Sequence, residues 1–201
     1  ADSESGFSRR KLIRRTMYGA LALFPLPALI VFGDLGPPVG NTLRQTMWKA
    51  GTRLTKDPTG IPIKASDVTL GSVFHVIPEG LAEMHHHKLE EKAKAAVLLV
   101  RLPQEDLKEA PEKTSWSYDG IVAYSKICTH VGCPVALYEQ QTHHLLCPCH
   151  QSTFDVTEHC KVVFGPAARP LPQLPISVDA EGYLIAQSDF LEPVGPSFWE
   201  R

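Results

Sequence analysis

Hydrophobic and polar positions divide this chain into an apolar front, a mixed stretch and a long body of short apolar runs. From Met17 to Phe32 no charge interrupts a nearly continuous apolar run. As a helix it rises about 24 Å, against a hydrocarbon core of about 30 Å. Leu12, Ile13 and the snorkelling stems of Arg14 and Arg15 close much of that gap. A transmembrane helix is therefore expected over residues 12–33, kinked or loosened at Pro25 and Pro27. The alternative is the core of a signal peptide that is later removed. It calls for a small-residue cleavage site, whereas Gly33-Asp34-Leu35-Gly36-Pro37-Pro38 reads as the start of a linker.

Residues 34–64 are rich in Gly, Pro and polar side chains and read as a linker or hinge. Trp48 and several basic residues within Gly40–Gly60 suggest that this stretch lies on the membrane surface or on a partner subunit. Beyond it the pattern turns to β. Val73–Ile77 alternates weakly, and Ala95–Leu102 is continuous, as in a strand buried on both faces. Gly120–Tyr124, His144–Leu146, Lys161–Phe164, Ile176–Val178 and Tyr183–Ala186 supply further strands between Pro and Gly breaks. Residues 79–94 read as a polar insertion with a short helix ending at Glu90–Lys94. His85, His86 and His87 inside it invite a metal reading, but with no Cys or acidic partner motif nearby a solvated loop is expected. The fold class is mainly β: an antiparallel β head over residues 65–201, preceded by a transmembrane α-helix and a basic segment over 1–11.

Charge adds a direction. The 201 residues carry a net charge of −2, which argues against a nucleic-acid partner. Arg9, Arg10, Lys11, Arg14 and Arg15 crowd the N-terminal flank of the apolar run, and Asp34 follows it with no Lys or Arg before Arg44. The positive-inside rule then places the basic segment in the cytoplasm and the head on the outer side. Ser8-Arg9-Arg10-Lys11-Leu12-Ile13-Arg14 also resembles a twin-arginine export signal, a route that carries folded proteins. The same residues serve equally well as plain positive-inside anchors.

Chemistry is concentrated in two short segments, Cys128-Thr129-His130-Val131-Gly132-Cys133-Pro134 and Cys147-Pro148-Cys149-His150-Gln151-Ser152. Each offers a Cys and a His at ligand spacing, and each holds one further Cys. A 2Fe–2S cluster with two thiolates on one iron and two imidazoles on the other needs this donor set. Cys128 and Cys147 are assigned to one iron, His130 and His150 to the other. Neutral imidazoles remove negative charge from the site and raise its potential, into a range of roughly −150 to +300 mV. A disulfide between the leftover Cys133 and Cys149 would clamp the two loops together. A structural zinc site uses the same side chains, but zinc fingers pair Cys with Cys and His with His in separate knuckles. Of the five cysteines, Cys160 remains and is expected as a free or buried thiol.

On these motifs the chain resembles the Rieske iron–sulfur proteins, closely over the paired loops and more loosely over 65–201. The resemblance implies the ligands and the Cys133–Cys149 disulfide given above, within a cluster-binding subdomain of about residues 124–172. It implies that Ser152 donates a hydrogen bond to a cluster sulfide. Gly165-Pro166-Ala167-Ala168-Arg169-Pro170-Leu171-Pro172 resembles the proline-bearing loop on the cluster's third side. Glu192–Arg201 resembles the tail of the actinobacterial members, whose additional transmembrane helices would precede Ala1.

Two departures stand out. Gln151 replaces the usual Gly after the second-loop His, and Phe154 stands where high-potential members carry a Tyr that hydrogen-bonds a ligand sulfur. A lost donor to sulfur lowers the potential, which favours menaquinol over ubiquinol. The resemblance thus implies a subunit of a membrane quinol–cytochrome c reductase. Its partners would be a cytochrome b subunit, a c-type cytochrome and, in a supercomplex, a terminal oxidase. His130 and His150 are the catalytic candidates toward the quinol. The rivals are a Rieske ferredoxin of an oxygenase system and the Rieske subunit of another membrane oxidoreductase. The apolar helix and the spare Cys pair weigh against the ferredoxin.

Overall fold

The computed structural model describes residues 10–33 and 42–196. The chain divides into two units, Ala1–Gly40 and Asn41–Arg201. Arg9, Asp34 and the tail residues 197–201 lie outside the described residues, as do parts of the export-like segment and of the linker.

In the first unit, α1 (Lys11–Leu23) and α2 (Leu26–Gly33) are parted at Phe24 and Pro25. Pro25 has no N–H to donate and its ring crowds the preceding turn. Pro27 is tolerated because it falls in the first turn of α2, where N–H groups have no helical partner. Together Lys11–Gly33 is long and apolar enough to cross a membrane, with mean hydropathy 1.7. Its 23 residues rise about 35 Å.

The second unit is built on an antiparallel sheet in the order β1 (Leu54–Lys56), β2 (Val73–Pro78), β3 (Val97–Arg101), β4 (Ile121–Ser125). Between β2 and β3 the polar insertion forms α3 (Lys88–Ala95), with His85, His86 and His87 exposed ahead of the helix body. Successive side chains of a strand point to opposite faces. Val97 and Leu99 of β3, with Ile121 and Ala123 of β4, enter a core that also holds Trp48, Leu54, Ile63 and Ile176. Leu98, Val100, Val122 and Tyr124 enter a second core on the other face, with Val135, Leu145, Phe154 and Leu171. Two-sided burial is why β3 reads as an unbroken apolar run.

The second core joins this sheet to another antiparallel sheet, β5 (Leu137–Glu139), β6 (His144–Leu146), β7 (Thr153–Asp155) and β8 (Lys161–Phe164). A hairpin of β9 (Ile176–Val178) and β10 (Leu184–Ala186) completes the described strands. β1, β5 and β7 were not expected from the sequence. Each is three residues long, too short for alternation to register, and each carries polar side chains.

One expectation is corrected. Residues 42–64 are part of the head, so the head begins well before residue 65. Trp48 is not a surface residue: it is 1% exposed, and its indole N–H donates to the Ala95 carbonyl at 2.9 Å. The Thr46 backbone N–H and hydroxyl both donate to the Asp189 carboxylate, at 2.8 and 2.6 Å. Burial of an aromatic body with its one polar atom satisfied outweighs any preference of this segment for an interface.

Candidate metal centre

Two loops emerge from the cores. The first, Cys128–Pro134, lies between β4 and β5; the second, Cys147–Ser152, lies between β6 and β7. They close in the same way. Cys128 N–H donates to the Cys133 carbonyl at 2.8 Å and Gly132 N–H donates back to the Cys128 carbonyl at 3.0 Å. Cys147 N–H donates to the Ser152 carbonyl at 2.9 Å and Gln151 N–H to the Cys147 carbonyl at 3.0 Å. The fifth residue of each loop turns left-handed: Gly132 at φ 85° and Gln151 at φ 60°. Gln151 thus occupies the position for which glycine is the natural choice.

The loops are joined by a Cys133–Cys149 disulfide, as expected. The sulfurs of Cys133, Cys147 and Cys149 lie within 4.8 Å of one another. Two of these three are consumed by the disulfide, which leaves Cys128 and Cys147 as free, buried thiols at the site. Burial pushes the Cys128 thiol up to about 11, and the adjacent Cys147 thiol adds to that. The His130 backbone N–H and the Ser152 hydroxyl act in the opposite direction, favouring the thiolate. Two buried thiols side by side become thiolates readily only beside a cation, so this pair suits a metal.

The His130 and His150 rings meet edge to face, with centroids 4.8 Å apart. His130 Nδ1 is buried without a hydrogen-bond partner, an expensive state for a nitrogen lone pair unless it has a ligand to hold. His150 is exposed and His130 half-buried. Two thiols and two imidazoles, one of them with an orphaned nitrogen, are a donor set that fits a 2Fe–2S cluster of the two-Cys, two-His kind.

A third loop backs the other two. Gly165 turns at φ 92°, and a Cβ there would lie 2.5 Å from Ser152 Cα and 2.8 Å from the Gln151 carbonyl oxygen. Only glycine lets this loop lie directly on the second one. Ala167 N–H then donates to the Ser152 hydroxyl oxygen at 3.1 Å, and the Thr129 hydroxyl donates to the Arg169 carbonyl at 2.6 Å. Thr129 and Arg169 lie within the first-loop and proline-loop motifs, but nothing in those motifs pointed to their contact, which spans 40 residues. Phe154 is fully buried in the second core, paired across strands with Leu145 and Val162. Cys160 is a buried free thiol, held protonated by burial and by Asp155.

Similarity to known proteins identifies the family. Residues 87–175 match the family model of the Rieske [2Fe-2S] domain, a span that includes all three loops. The cytochrome bc1 complex Rieske iron-sulfur subunit of Streptomyces coelicolor is 55% identical over 98% of this chain and 56% of its own length. The subunit of the same name from Streptomyces lividans is 55% identical over 84% of this chain and 98% of its own. Among solved structures, the soluble domain of Rieske protein II from Sulfolobus acidocaldarius aligns over 49% of this chain and 68% of its own, at 22% identity and a TM-score of 0.38. The chain spans about half the length of several curated relatives it matches, 56% and 54% in two cases. With a 55% identical relative covered almost end to end, the chain belongs to the Rieske iron–sulfur subunits of the cytochrome bc1 complex.

Proposed function

We propose that this chain is the electron-transfer subunit of a membrane quinol–cytochrome c reductase, taking one electron at a time from quinol and passing it to a c-type cytochrome. The observation that carries this reading is the convergence of two free thiols and two imidazoles from paired loops clamped by the Cys133–Cys149 disulfide. Cys128 and Cys147 hold one iron and His130 and His150 the other. The 2Fe–2S cluster, when bound, supplies reversible one-electron chemistry.

The chain's own residues divide the remaining work. Ser152 lies within the buried site, where its hydroxyl steadies the Cys128 sulfur in its anionic form. His150, the more exposed of the two rings, offers its outer nitrogen to the quinol hydroxyl and receives the proton as the electron leaves. His130 sits deeper and serves as ligand and brace. The quinol itself binds in a cytochrome b subunit, as the family resemblance implies.

Menaquinol is the substrate favoured by Phe154. That side chain has no hydroxyl to donate to a ligand sulfur, which keeps the potential low within the two-His range. The basic flank Arg10, Lys11, Arg14, Arg15 supports a cytoplasmic start for the apolar helix and an outer location for the head. A terminal oxidase receiving electrons from the same c-type cytochrome completes the chain of partners. A redox titration of the purified complex, followed by electron paramagnetic resonance, tests the whole reading. A two-His cluster signal accompanied by b and c haems is expected. A molybdenum cofactor in place of the haems would refute the reductase.

A further inference from the structure

The third loop is tied to a segment outside the paired motifs. Residues 190–196 run as an irregular strap alongside the first cluster loop. Phe190 and Val194 anchor it in the first core at 5% and 0% exposure, and Val194 N–H donates to the Leu43 carbonyl at 2.9 Å. At Gly195 the strap passes so close to Ile127 that a Cβ would lie 3.1 Å from the Ile127 Cγ2. Pro196 lies over Gly132, where a Cβ on the glycine would be 3.5 Å from the proline ring. Ile127 directly precedes the candidate ligand Cys128, and Gly132 makes the turn that closes the same loop.

Arg169 joins these pieces. Its Nη2 donates to the Pro193 carbonyl at 2.5 Å and to the Gly195 carbonyl at 2.9 Å, and its Nη1 stands 4.0 Å from the Glu192 carboxylate. Its own carbonyl accepts the Thr129 hydroxyl at 2.6 Å, next to the candidate ligand His130. A guanidinium suits this task because its rigid fork presents several donors in fixed directions. Holding two strap carbonyls with one side chain fixes the strap, and the strap in turn holds the flank of the first loop.

We propose that Arg169 is a positioning residue for the cluster, a clasp that locks the 190–196 strap against the first ligand loop and so fixes Cys128 and His130. This rests on the cluster reading proposed above. Residues that orient metal ligands influence affinity by roughly ten- to a hundred-fold without touching the metal. The strap is thereby assigned a role in holding the cluster.

The test uses the assembled complex with Arg169→Gln, Gly195→Val and the double variant. Two quantities are read: the rate at which a chelator bleaches the cluster, and the g values of its reduced resonance signal. Each single variant should bleach roughly ten-fold faster and shift the g values, because loop geometry changes at the ligands. The double variant should be no worse than the more damaged single, since both release the same strap. Arg169→Lys keeps the charge and loses the fork; it should bleach faster than the parent, and it carries the test if Arg169→Gln fails to accumulate. Parental bleaching and g values in Arg169→Gln or Arg169→Lys overturn the clasp. Multiplied effects in the double variant also overturn it, because they show the two residues acting separately. A parent complex with no two-His cluster signal removes the site reading itself, which is a different failure.

Discussion

The Ser152 hydroxyl oxygen accepts the Ala167 N–H at 3.1 Å while the same hydroxyl lies against the Cys128 sulfur. One buried atom thus fastens the third loop to the second and stabilises a thiolate of the first. Ser152→Ala leaves the Ala167 N–H buried and unpaired, which costs about 1–3 kcal/mol. It also removes a donor to sulfur, so the cluster midpoint potential should fall. Thermal melting of the complex and a redox titration check the two effects separately. A potential unchanged from the parent would show that the hydroxyl serves the loops alone.

Phe154→Tyr asks whether the substrate argument holds. The ring is fully buried between Leu145 and Val162, so the added hydroxyl must find a partner or destabilise the second core. If it reaches a ligand sulfur, the potential rises, because a donor favours the more negative, reduced site. The expected outcome is a higher midpoint in a redox titration, which makes the cluster a stronger oxidant of quinol and a weaker donor to the c-type cytochrome. A lower or constant midpoint removes the case for menaquinol.

The architecture around these residues was legible in unequal measure. β3 and β4 announced themselves, because burial on both faces leaves a run with no polar interruption at Val97–Val100 and Ile121–Tyr124. The paired loops were legible because Cys and His at fixed spacing have few other uses. Trp48 was not, since a lone aromatic among basic and polar residues reads as interfacial, and its partner Ala95, like the Asp189 that holds the neighbouring Thr46, acts from a distant part of the chain. The Arg169 contacts were hidden for the same reason: a side chain capping main-chain carbonyls leaves no trace in the spacing of its targets.

Trp48→Ala therefore tests where the head begins. Removing a fully buried aromatic side chain costs about 3–5 kcal/mol, and the Ala95 carbonyl loses its donor as well. The head should melt well below the parent temperature. A change within a few tenths of a kcal/mol would return residues 42–64 to the status of a linker.

Gly132 and Gln151 offer a paired test of backbone strain, because they occupy the same place in two loops that close alike. Both are left-handed, at φ 85° and φ 60°. A side chain in that region costs about 1–2 kcal/mol, and a glycine there returns about 0.5–1 kcal/mol of that through the entropy of the unfolded chain. Gln151→Gly should therefore stabilise the head slightly, by about 0.5 kcal/mol. Gly132→Ala should destabilise it: the added Cβ meets Pro196 at an ordinary 3.5 Å, so the penalty comes from the backbone rather than from a clash. Opposite signs in thermal melting are the expected result, with the cluster spectrum kept in both. If Gln151→Gly instead destabilises the head, the Gln151 side chain makes a contact strong enough to hold its own strained backbone, and the two loops are alike in form but not in energy.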